Sequence, residues 1–496
     1  MALPNIVIIK SVAMEKYMRC LTGKEEKVGQ ENREEFKRGV KLQEDKDISS
    51  PLIKFQVVTA TSNPELVHIR CCYTNKYLVM GTTTTYYDYI QAVAENPIED
   101  QTSNACTLFK PIRATDDEFK GDTQMYRLLH VRTKRYLIYR MMPDTRNDHL
   151  SILSETPRTY APFFDVFKIM DFGSIVIFPE QVAFKQHGSQ SKFLNCKSFN
   201  DHPYLQFLDG TDEGDTRVAN VITTVGDGFV RIKNLSTGKF WRRSPNWIWA
   251  DSNKTEDDNS SEFRDTIFWP VKLGDNVVAL RSVANDRFLK GITQDGVTGC
   301  LNAAEEYMTN EVKLEVVETL IERNVYDIEY HTEVAKVYNV IEKDIVTSRN
   351  TSYTKEDTVT LKFSHKKSNS KTIGGSVSLK LGAKATLKLD VIPTFLGGQI
   401  ELSAELTGTV QWGTTDLTEK VTETMNAVKV APRTRKTVTL VAKHGICEVP
   451  FSYTRRDYLR NKRAPEIKRL HDGIYKGIDS TEIDYDTKEE PLPASD

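Results

Sequence analysis

Residues 377–412 alternate between apolar and polar side chains in two long runs, which restricts this stretch of the 496-residue chain to β-structure. Successive residues of a strand point to opposite faces, so strict alternation predicts one apolar face and one wet face. The two arms, 377–391 and 399–412, are longer than most strands of soluble proteins. They exceed the roughly 9 to 11 residues that a strand needs to cross a bilayer. The apolar face comprises Val377, Leu379, Leu381, Ala383, Ala385, Leu387, Leu389, Val391, Ile400, Leu402, Ala404, Leu406, Val410 and Trp412.

The charged positions of the arms select a register for this hairpin. One register places Lys388 opposite Glu401, and the same register places Lys384 opposite Glu405. It also keeps apolar residues opposite one another on the other face. We therefore predict a β-hairpin with complementary charges across its wet face.

The predicted turn, residues 392–397, is apolar where turns are usually polar. Its Phe395 and Leu396 would form a tip suited to entering a membrane first. The wet face would then line a pore, and its charges balance, so we expect weak ion selectivity. The predicted pore-lining residues are Lys380, Lys384, Lys388, Asp390, Glu401 and Glu405.

A different interpretation of the hairpin stays open at this point. Amphipathic strands of this kind also cover the core of ordinary soluble β-sandwiches. The absence of edge-protecting charges on the apolar face favours the membrane interpretation.

Composition restricts which partners and which cellular compartment we expect for this protein. The net charge is −2, so no overall basic field predicts binding to nucleic acid. No apolar run reaches the roughly 18 residues of a transmembrane helix, and the N-terminus lacks the pattern of a signal peptide. Seven scattered cysteines without metal-ligand spacing predict reduced thiols and no metal site. We expect a cytoplasmic or nucleocytoplasmic protein, or one released on damage, that lies in the target membrane when inserted.

A short unit recurs six times before residue 300. Each copy has a few strand residues, a polar turn, and then a basic residue followed by an aromatic one. Three copies in about 150 residues are typical of a β-trefoil. The six pairs are Lys16-Tyr17, Lys76-Tyr77, Arg135-Tyr136, Lys192-Phe193, Lys239-Phe240 and Arg287-Phe288.

The chain is therefore expected to be all-β, with two tandem β-trefoils at 1–172 and 173–315. Residues 316–496 change to long Thr/Ser-rich strands around the alternating hairpin, followed by an acidic C-terminal tail. This predicts a third, elongated β-domain.

The stretch from Phe240 to Ile248, Phe-Trp-Arg-Arg-Ser-Pro-Asn-Trp-Ile, resembles the signature of amaranthin-type plant agglutinin domains. The first 315 residues are similar to a tandem pair of such domains. The remainder resembles the pore-forming module of aerolysin-like toxins, as in plant proteins that fuse the two. The resemblance implies a defence lectin that binds cell-surface galactose and N-acetylgalactosamine glycans of the T-antigen type, between trefoils of partner subunits.

The resemblance also implies a soluble monomer or dimer that forms a membrane ring of about seven subunits. In the second trefoil the candidate sugar-binding residues are Trp241, Arg243, Asn246 and Trp247, because aromatic faces stack on sugar rings while polar groups bind hydroxyls. The first trefoil departs from the signature and offers Asn75, Tyr86 and Tyr87. Core and capping roles for these residues remain the alternative.

Two other functions were weighed. An enzyme is not expected, since HExxH, GxSxG, P-loop and GxGxxG motifs are missing and no catalytic residue or cofactor is predicted. A lectin or adhesion protein without lytic activity, whose third domain only oligomerises it, stays open. Leakage of dye from liposomes would separate that protein from a pore former.

Overall fold

The computed structural model describes residues 3–21, 38–43, 48, 50–81, 89–139, 149–189, 192–253, 261–350, 352–375, 384–389, 391–396, 399–403, 406–412 and 415–493. They form two compact units. The first comprises Met1–Glu322, Ser376–Ala383 and Asp457–Glu466, and the second comprises Arg323–Gly375, Lys384–Arg456 and Ile467–Asp496.

Twelve short strands build the first part of the first unit. They are β1 (Ile6–Ser11), β2 (Tyr17–Cys20), β3 (Val40–Gln43), β4 (Lys54–Thr59), β5 (Val67–Cys71), β6 (Tyr77–Met80), β7 (Ile90–Ala94), β8 (Leu108–Arg113), β9 (Met125–His130), β10 (Arg135–Tyr139), β11 (Leu150–Ser154) and β12 (Phe167–Asp171). Short 3-10 turns at Pro51–Ile53, Asp117–Phe119 and Phe172–Ser174 connect some of them.

Six of these strands close into a barrel. Pairing runs β1–β4–β5–β8–β9–β12 and returns from β12 to β1. The hairpins β2–β3, β6–β7 and β10–β11 branch from it, one for each repeat. A closed six-stranded barrel with three hairpins is the β-trefoil that the threefold repeat predicts.

Each repeat turns through a residue of positive φ just before its basic-aromatic pair. The amide of that residue donates to the carbonyl four residues earlier at 2.9–3.0 Å. The turn of the fourth copy, before Lys192, includes residues 190 and 191, which lie outside the described residues. The five described turn residues are Glu15, Asn75, Lys134, Gly238 and Asp286.

The second trefoil repeats the arrangement with twelve strands. They are β13 (Gln181–Gln186), β14 (Phe193–Phe199), β15 (His202–Leu208), β16 (Ala219–Gly226), β17 (Phe229–Asn234), β18 (Lys239–Ser244), β19 (Trp247–Ser252), β20 (Phe268–Lys272), β21 (Val277–Ser282), β22 (Phe288–Gln294), β23 (Val297–Glu305) and β24 (Leu314–Glu318). Strands β13, β16, β17, β20, β21 and β24 close the barrel. Further 3-10 turns lie at Ser261–Thr266 and Asn310–Val312.

This trefoil continues beyond the predicted end at residue 315. Val182 of β13 pairs with Glu318 of β24, so the closing strand runs on past that position. Strand closure, rather than the change in composition, determines where the trefoil ends.

Ten strands follow, of which β25, β26, β27, β32, β33 and β34 are longer than the strands of the trefoils. They are β25 (Leu320–Tyr330), β26 (Lys336–Asn350), β27 (Asp357–Gly374), β28 (Lys384–Leu389), β29 (Ile392–Leu396), β30 (Gln399–Ser403), β31 (Leu406–Gln411), β32 (Thr415–Val430), β33 (Thr434–Leu459) and β34 (Glu466–Pro491). A 3-10 turn lies at Thr332–Val334. The main sheet has the order β31-β28-β25-β33-β34-β27-β32, with β26 on β33, and β29–β30 form a separate pair.

Two apolar clusters stabilise the second unit. One gathers Val449, Phe451, Tyr453 and Tyr475 at the centre of the sheet. The other contains Phe363, Val438 and Leu440. Within the described part of the chain, no helix has the length and hydropathy of a membrane span.

Candidate functional site

Trp241 lies in the core of the second trefoil, which corrects its assignment to the sugar-binding set. Its side chain is fully buried, 5.4 Å from the Phe184 ring. Its Nε1 donates to Asn220 Oδ1 at 3.0 Å. Strand β18 belongs to a hairpin whose inward side packs on the core of the trefoil, so this indole has no free face for a sugar.

Of the other predicted residues of this trefoil, Arg243 and Asn246 meet in a polar corner, whereas Trp247 is buried in a small apolar cluster with Tyr204, Val297 and Cys300. Arg243 donates from Nε to Asp265 Oδ1 at 2.9 Å and from Nη1 to Asn246 Oδ1 at 3.3 Å. Asn285 Nδ2 also donates to Asn246 Oδ1, at 3.4 Å. The Asn246 side-chain nitrogen makes no hydrogen bond to the described residues, so its two donors face solvent. We call Arg243, Asn246, Asp265 and Asn285 the amide corner.

Beside this corner lies a row of aromatic rings, of which the sequence singled out only Trp247 as a candidate site residue. His202 stacks on Trp249 with ring centroids 3.9 Å apart and an interplanar angle of 7°. Tyr204 meets Trp249 and Trp247 edge-on at 5.5 and 5.6 Å. Phe199, 37% exposed, extends the row from Tyr204 at 6.0 Å. These five residues are the aromatic shelf.

Local geometry explains why His202 reaches Trp249. Asn200 and Asp201 both have positive φ, as the two-residue turn between β14 and β15 requires. The strand that follows pairs Tyr204 with Trp249 of β19. Arg242 lies 5.7 Å from the Trp249 ring centroid and is held by two hydrogen bonds to Asp251, at 3.0 and 2.7 Å.

The described residues of the first trefoil do not form such a shelf. The β6–β7 hairpin has the same bulge and register as β18–β19, with Met80 opposite Ile90 where Arg243 is opposite Ile248. Gln91 therefore takes the place of Trp249. Tyr89 takes the place of Trp247, and it is buried beside His149.

The candidate residues of the first trefoil do not form a described site. Asn75 occupies the positive-φ turn position shared by the repeats, with φ 57°. Tyr86 and Tyr87 lie outside the described residues. In the matched register of the two hairpins, the residue that corresponds to Trp247 is Tyr89, not Tyr86 or Tyr87.

The hairpin of the second unit has a register different from the predicted one. Lys384 lies opposite Gln411 and Lys388 opposite Thr407. Glu401 lies opposite Thr394. The predicted Lys-Glu levels are therefore wrong for these described positions.

The turn explains the difference. Residues 392–396, predicted as the turn, form β29, and Leu396 pairs with Gln399. The next two residues in the sequence are Gly397 and Gly398, a pair typical of two-residue hairpin turns. The predicted register was chosen from the charge pairs and did not use this signal. Both registers place apolar positions opposite apolar ones, as in Ala385 opposite Val410. The alternation alone cannot separate them, and cross-strand charge pairs contribute only about 0.2–1 kcal/mol.

In the described strands, a short parallel pairing is the backbone connection of the hairpin to the main sheet. Asn324 of β25 pairs with Thr386 of β28, with one further pair on each side of it. On the hairpin, Leu402 is 47% exposed and Val391 is also exposed, whereas Ile392 is buried and Ile400 is partly buried.

Trp412, predicted to face lipid, packs at the base of the hairpin. Its ring lies 5.1 Å from that of Tyr453, whose hydroxyl donates to Asp472 Oδ1 at 3.1 Å. A Cβ added to Gly375 would approach this tyrosine hydroxyl to 3.0 Å. Both ends of the hairpin thus meet at Tyr453.

The remaining predicted hairpin positions divide into two groups. Ala385, Leu387, Leu389, Phe395, Leu406 and Val410 lie in described strands. Val377, Leu379, Lys380, Leu381, Ala383, Asp390, Ala404 and Glu405 lie outside the described residues. Among described residues, no group of three or more His, Cys, Asp or Glu could hold a metal ion.

The agglutinin domain family matches the chain twice, over residues 1–153 and 176–320. No curated protein matched. A mosquitocidal holotoxin is similar at 13% identity and a TM-score of 0.28, over 66% of this chain and 35% of its own length. A lamprey immune protein is similar at 12% identity and 0.27, over 74% and 87%. The Macrolepiota procera ricin B-like lectin in complex with lactose is similar at 12% and 0.23, over 34% and 98%.

The two matches to the agglutinin domain overlap the two closed barrels, the first ending before the closing strand β12, and together they cover more than half of the sequence. Each includes the repeated basic-aromatic turns and the three hairpins of its barrel. The chain therefore belongs to the agglutinin domain family.

Proposed function

We propose that this chain binds glycans through its second trefoil, oligomerises, and inserts residues 375–413 into a membrane as part of a β-barrel pore. The proposal includes no catalytic step and no cofactor. The observation that supports glycan binding is the aromatic shelf beside the amide corner. The observation that supports insertion is the alternating hairpin with its short attachment to β25.

The site has the two kinds of group that sugar recognition needs. A sugar ring presents C–H groups to an aromatic face and hydroxyls to polar side chains at its edge. Trp249 and His202 supply the ring faces, with His202 the more exposed of the two. The free amide of Asn246 supplies donors. We assign galactose and N-acetylgalactosamine glycans as the ligand class, in line with the agglutinin resemblance.

The hairpin can gain by entering lipid only after subunits assemble. A lone hairpin would leave edge N–H and C=O groups unpaired in the bilayer at several kcal/mol each, whereas a closed ring pairs them. Strand β31 is an edge of the sheet as described, so it is available to a neighbouring hairpin. Each buried apolar side chain of the hairpin then contributes on the order of 1 kcal/mol or more.

Dye-filled liposomes with and without a galactose-terminated glycolipid test the whole proposal. We expect release only from the glycolipid vesicles and inhibition by free galactose. Aggregation of the vesicles without release would instead identify a non-lytic lectin or adhesion protein.

Neighbouring positions on the first arm give a matched pair of variants. Leu387→Asp places a charge on the lipid face and should abolish release while leaving binding to the vesicles intact. Thr386→Asp places the same charge on the wet face and should retain release. Full release from Leu387→Asp would contradict membrane insertion of this segment.

A further inference from the structure

A second aromatic surface on the second trefoil is centred on Trp269 of β20. This indole is 45% exposed, and the Phe229 ring meets it edge-on at 5.2 Å and 77°. Within the described residues, Phe229 is its only aromatic neighbour. A tryptophan that contacts one neighbouring ring and is nearly half exposed offers a flat surface to a ligand.

The fold itself does not require a tryptophan at this place. Strand β8 of the first trefoil is the counterpart of β20, because Val67–Phe109 and Val230–Phe268 are matching pairs between barrel strands. The counterpart of Trp269 is therefore Lys110. That lysine is solvated and pairs with Glu65 at 3.0 Å.

Polar groups flank the exposed indole. Trp269 lies opposite Arg281 on β21, where the first trefoil has Leu129 opposite Lys110. Arg281 donates from Nη2 to Asp286 Oδ2 at 2.5 Å and from Nε to the Asp286 carbonyl at 3.2 Å. The Asp286 side chain is 75% exposed, so its carboxylate can accept further hydrogen bonds.

Size and chemistry select the ligand. A stable protein interface buries about 800 Å² on each partner, which one indole and one ion pair do not supply. A lipid surface would have to desolvate the Arg281–Asp286 pair. A pyranose ring matches both parts, because it stacks C–H groups on the indole while its hydroxyls bind a guanidinium and a carboxylate.

We propose that Trp269, held by Phe229 and flanked by the Arg281–Asp286 pair, is a second glycan-binding platform for one pyranose ring. It is separate from the aromatic shelf. The inference rests on the proposed glycan-binding function and adds a second point of attachment on the same trefoil. Two sites on one chain let a monomer bridge two glycans, which raises avidity without any new contact.

Exchange of each aromatic residue for its counterpart in the first trefoil tests the platform. Full-length wild type, Trp269→Lys, Trp249→Gln and the double variant are titrated with methyl galactoside and methyl N-acetylgalactosaminide by calorimetry and saturation-transfer NMR. Each single variant should reduce the number of sugars bound per chain by about half, and the double variant should bind none. Trp269→Phe retains a ring and should weaken the platform by less than about tenfold.

The possible results separate the inference from the function on which it rests. A wild type that binds no sugar overturns the proposed function together with the platform. A wild type that binds, with unchanged stoichiometry in a folded Trp269→Lys, overturns the platform alone. The platform is also overturned if Trp269→Lys changes the sedimentation of the protein but not its sugar binding, because Trp269 would then contact a second copy of the chain.

Discussion

At the scale of single residues, Asp227 joins the two trefoils. It lies at positive φ in the turn between β16 and β17. Its carboxylate accepts from Tyr17 at 2.8 Å and pairs with Lys10 at 3.2 Å and Lys168 at 3.0 Å. Burial alone would raise the pKa of Asp227, but the two lysines outweigh it and the pKa is lowered from 3.8.

Asp227→Asn should destabilise this contact by about 3 kcal/mol at neutral pH, because two mostly buried lysines lose their counter-charge. Since the folded pKa is below the unfolded one, the stabilisation is complete above about pH 4 and is lost as the pH falls through the folded pKa. Urea midpoints of wild type and variant, measured by tryptophan fluorescence, should therefore differ at pH 7 and converge in acid. Equal midpoints at pH 7 would contradict the role of this carboxylate.

A variant of Trp241 tests whether this residue stabilises the core or binds sugar. Trp241→Phe removes the donor to Asn220 Oδ1 and should lower the free energy of unfolding by about 1–3 kcal/mol. Sugar binding by the folded protein should not change, whereas Trp249→Gln should weaken binding with little effect on stability. The two variants are compared by thermal unfolding and by calorimetry, and the reverse pattern would move the site back to Trp241.

At the scale of elements, the hairpin combines a strong internal pairing with a weak external one. Its strands pair over six positions in β28–β31 and five in β29–β30, but over three with β25. Detachment as an intact hairpin therefore breaks few backbone hydrogen bonds. Side-chain packing of Ile392, Ile400 and Trp412 on the apolar cluster around Tyr453 also attaches the hairpin.

A disulfide between neighbouring strands tests whether this detachment is required. Asn324 and Thr386 are register partners, and adjacent strands lie about 5 Å apart, within reach of a disulfide. The variant Asn324→Cys with Thr386→Cys should release no dye when oxidised and recover on reduction. The single variant Thr386→Cys, treated identically, controls for the native thiols. Equal release in the oxidised and reduced states would show that the hairpin functions without leaving β25.

At the scale of the whole molecule, the observed register changes the expected charge of a pore. Lys384 and Lys388 lie opposite Gln411 and Thr407, which are neutral. If inserted hairpins keep this register, the two lysine levels are not cancelled across the strand pair. The lumen at these levels should favour anions, in contrast to the weak selectivity expected from paired charges.

Lys388→Glu should move the selectivity of the pore toward cations, because it reverses the charge of a whole ring. Reversal potentials in planar bilayers under a salt gradient measure the shift. Lys429→Glu, on β32 outside the hairpin, is the matched control and should leave the potential unchanged. An unchanged potential in Lys388→Glu would show that this position does not line the pore.

Local sequence patterns predict much of the architecture. The repeated turns before Lys16, Lys76 and Arg135 indicate threefold symmetry because each repeat needs the same positive-φ residue in the same place. The alternation of residues 377–412 identifies strands because the side-chain period of a strand is two. Both signals lie within a few neighbouring residues, so the sequence alone contains them.

The site depends on contacts between distant segments, which only the tertiary structure decides. Trp241 and Trp249 lie in the same hairpin. Packing on the core of the trefoil buries Trp241, whereas Trp249 stacks on His202, which comes from a different hairpin. The alternation also could not predict the hairpin register, because an even shift of the register keeps both faces matched. The sequence by itself therefore determined the strands, their faces and the trefoil repeats, whereas the three-dimensional packing determined which aromatic rings face solvent and which residues lie opposite one another.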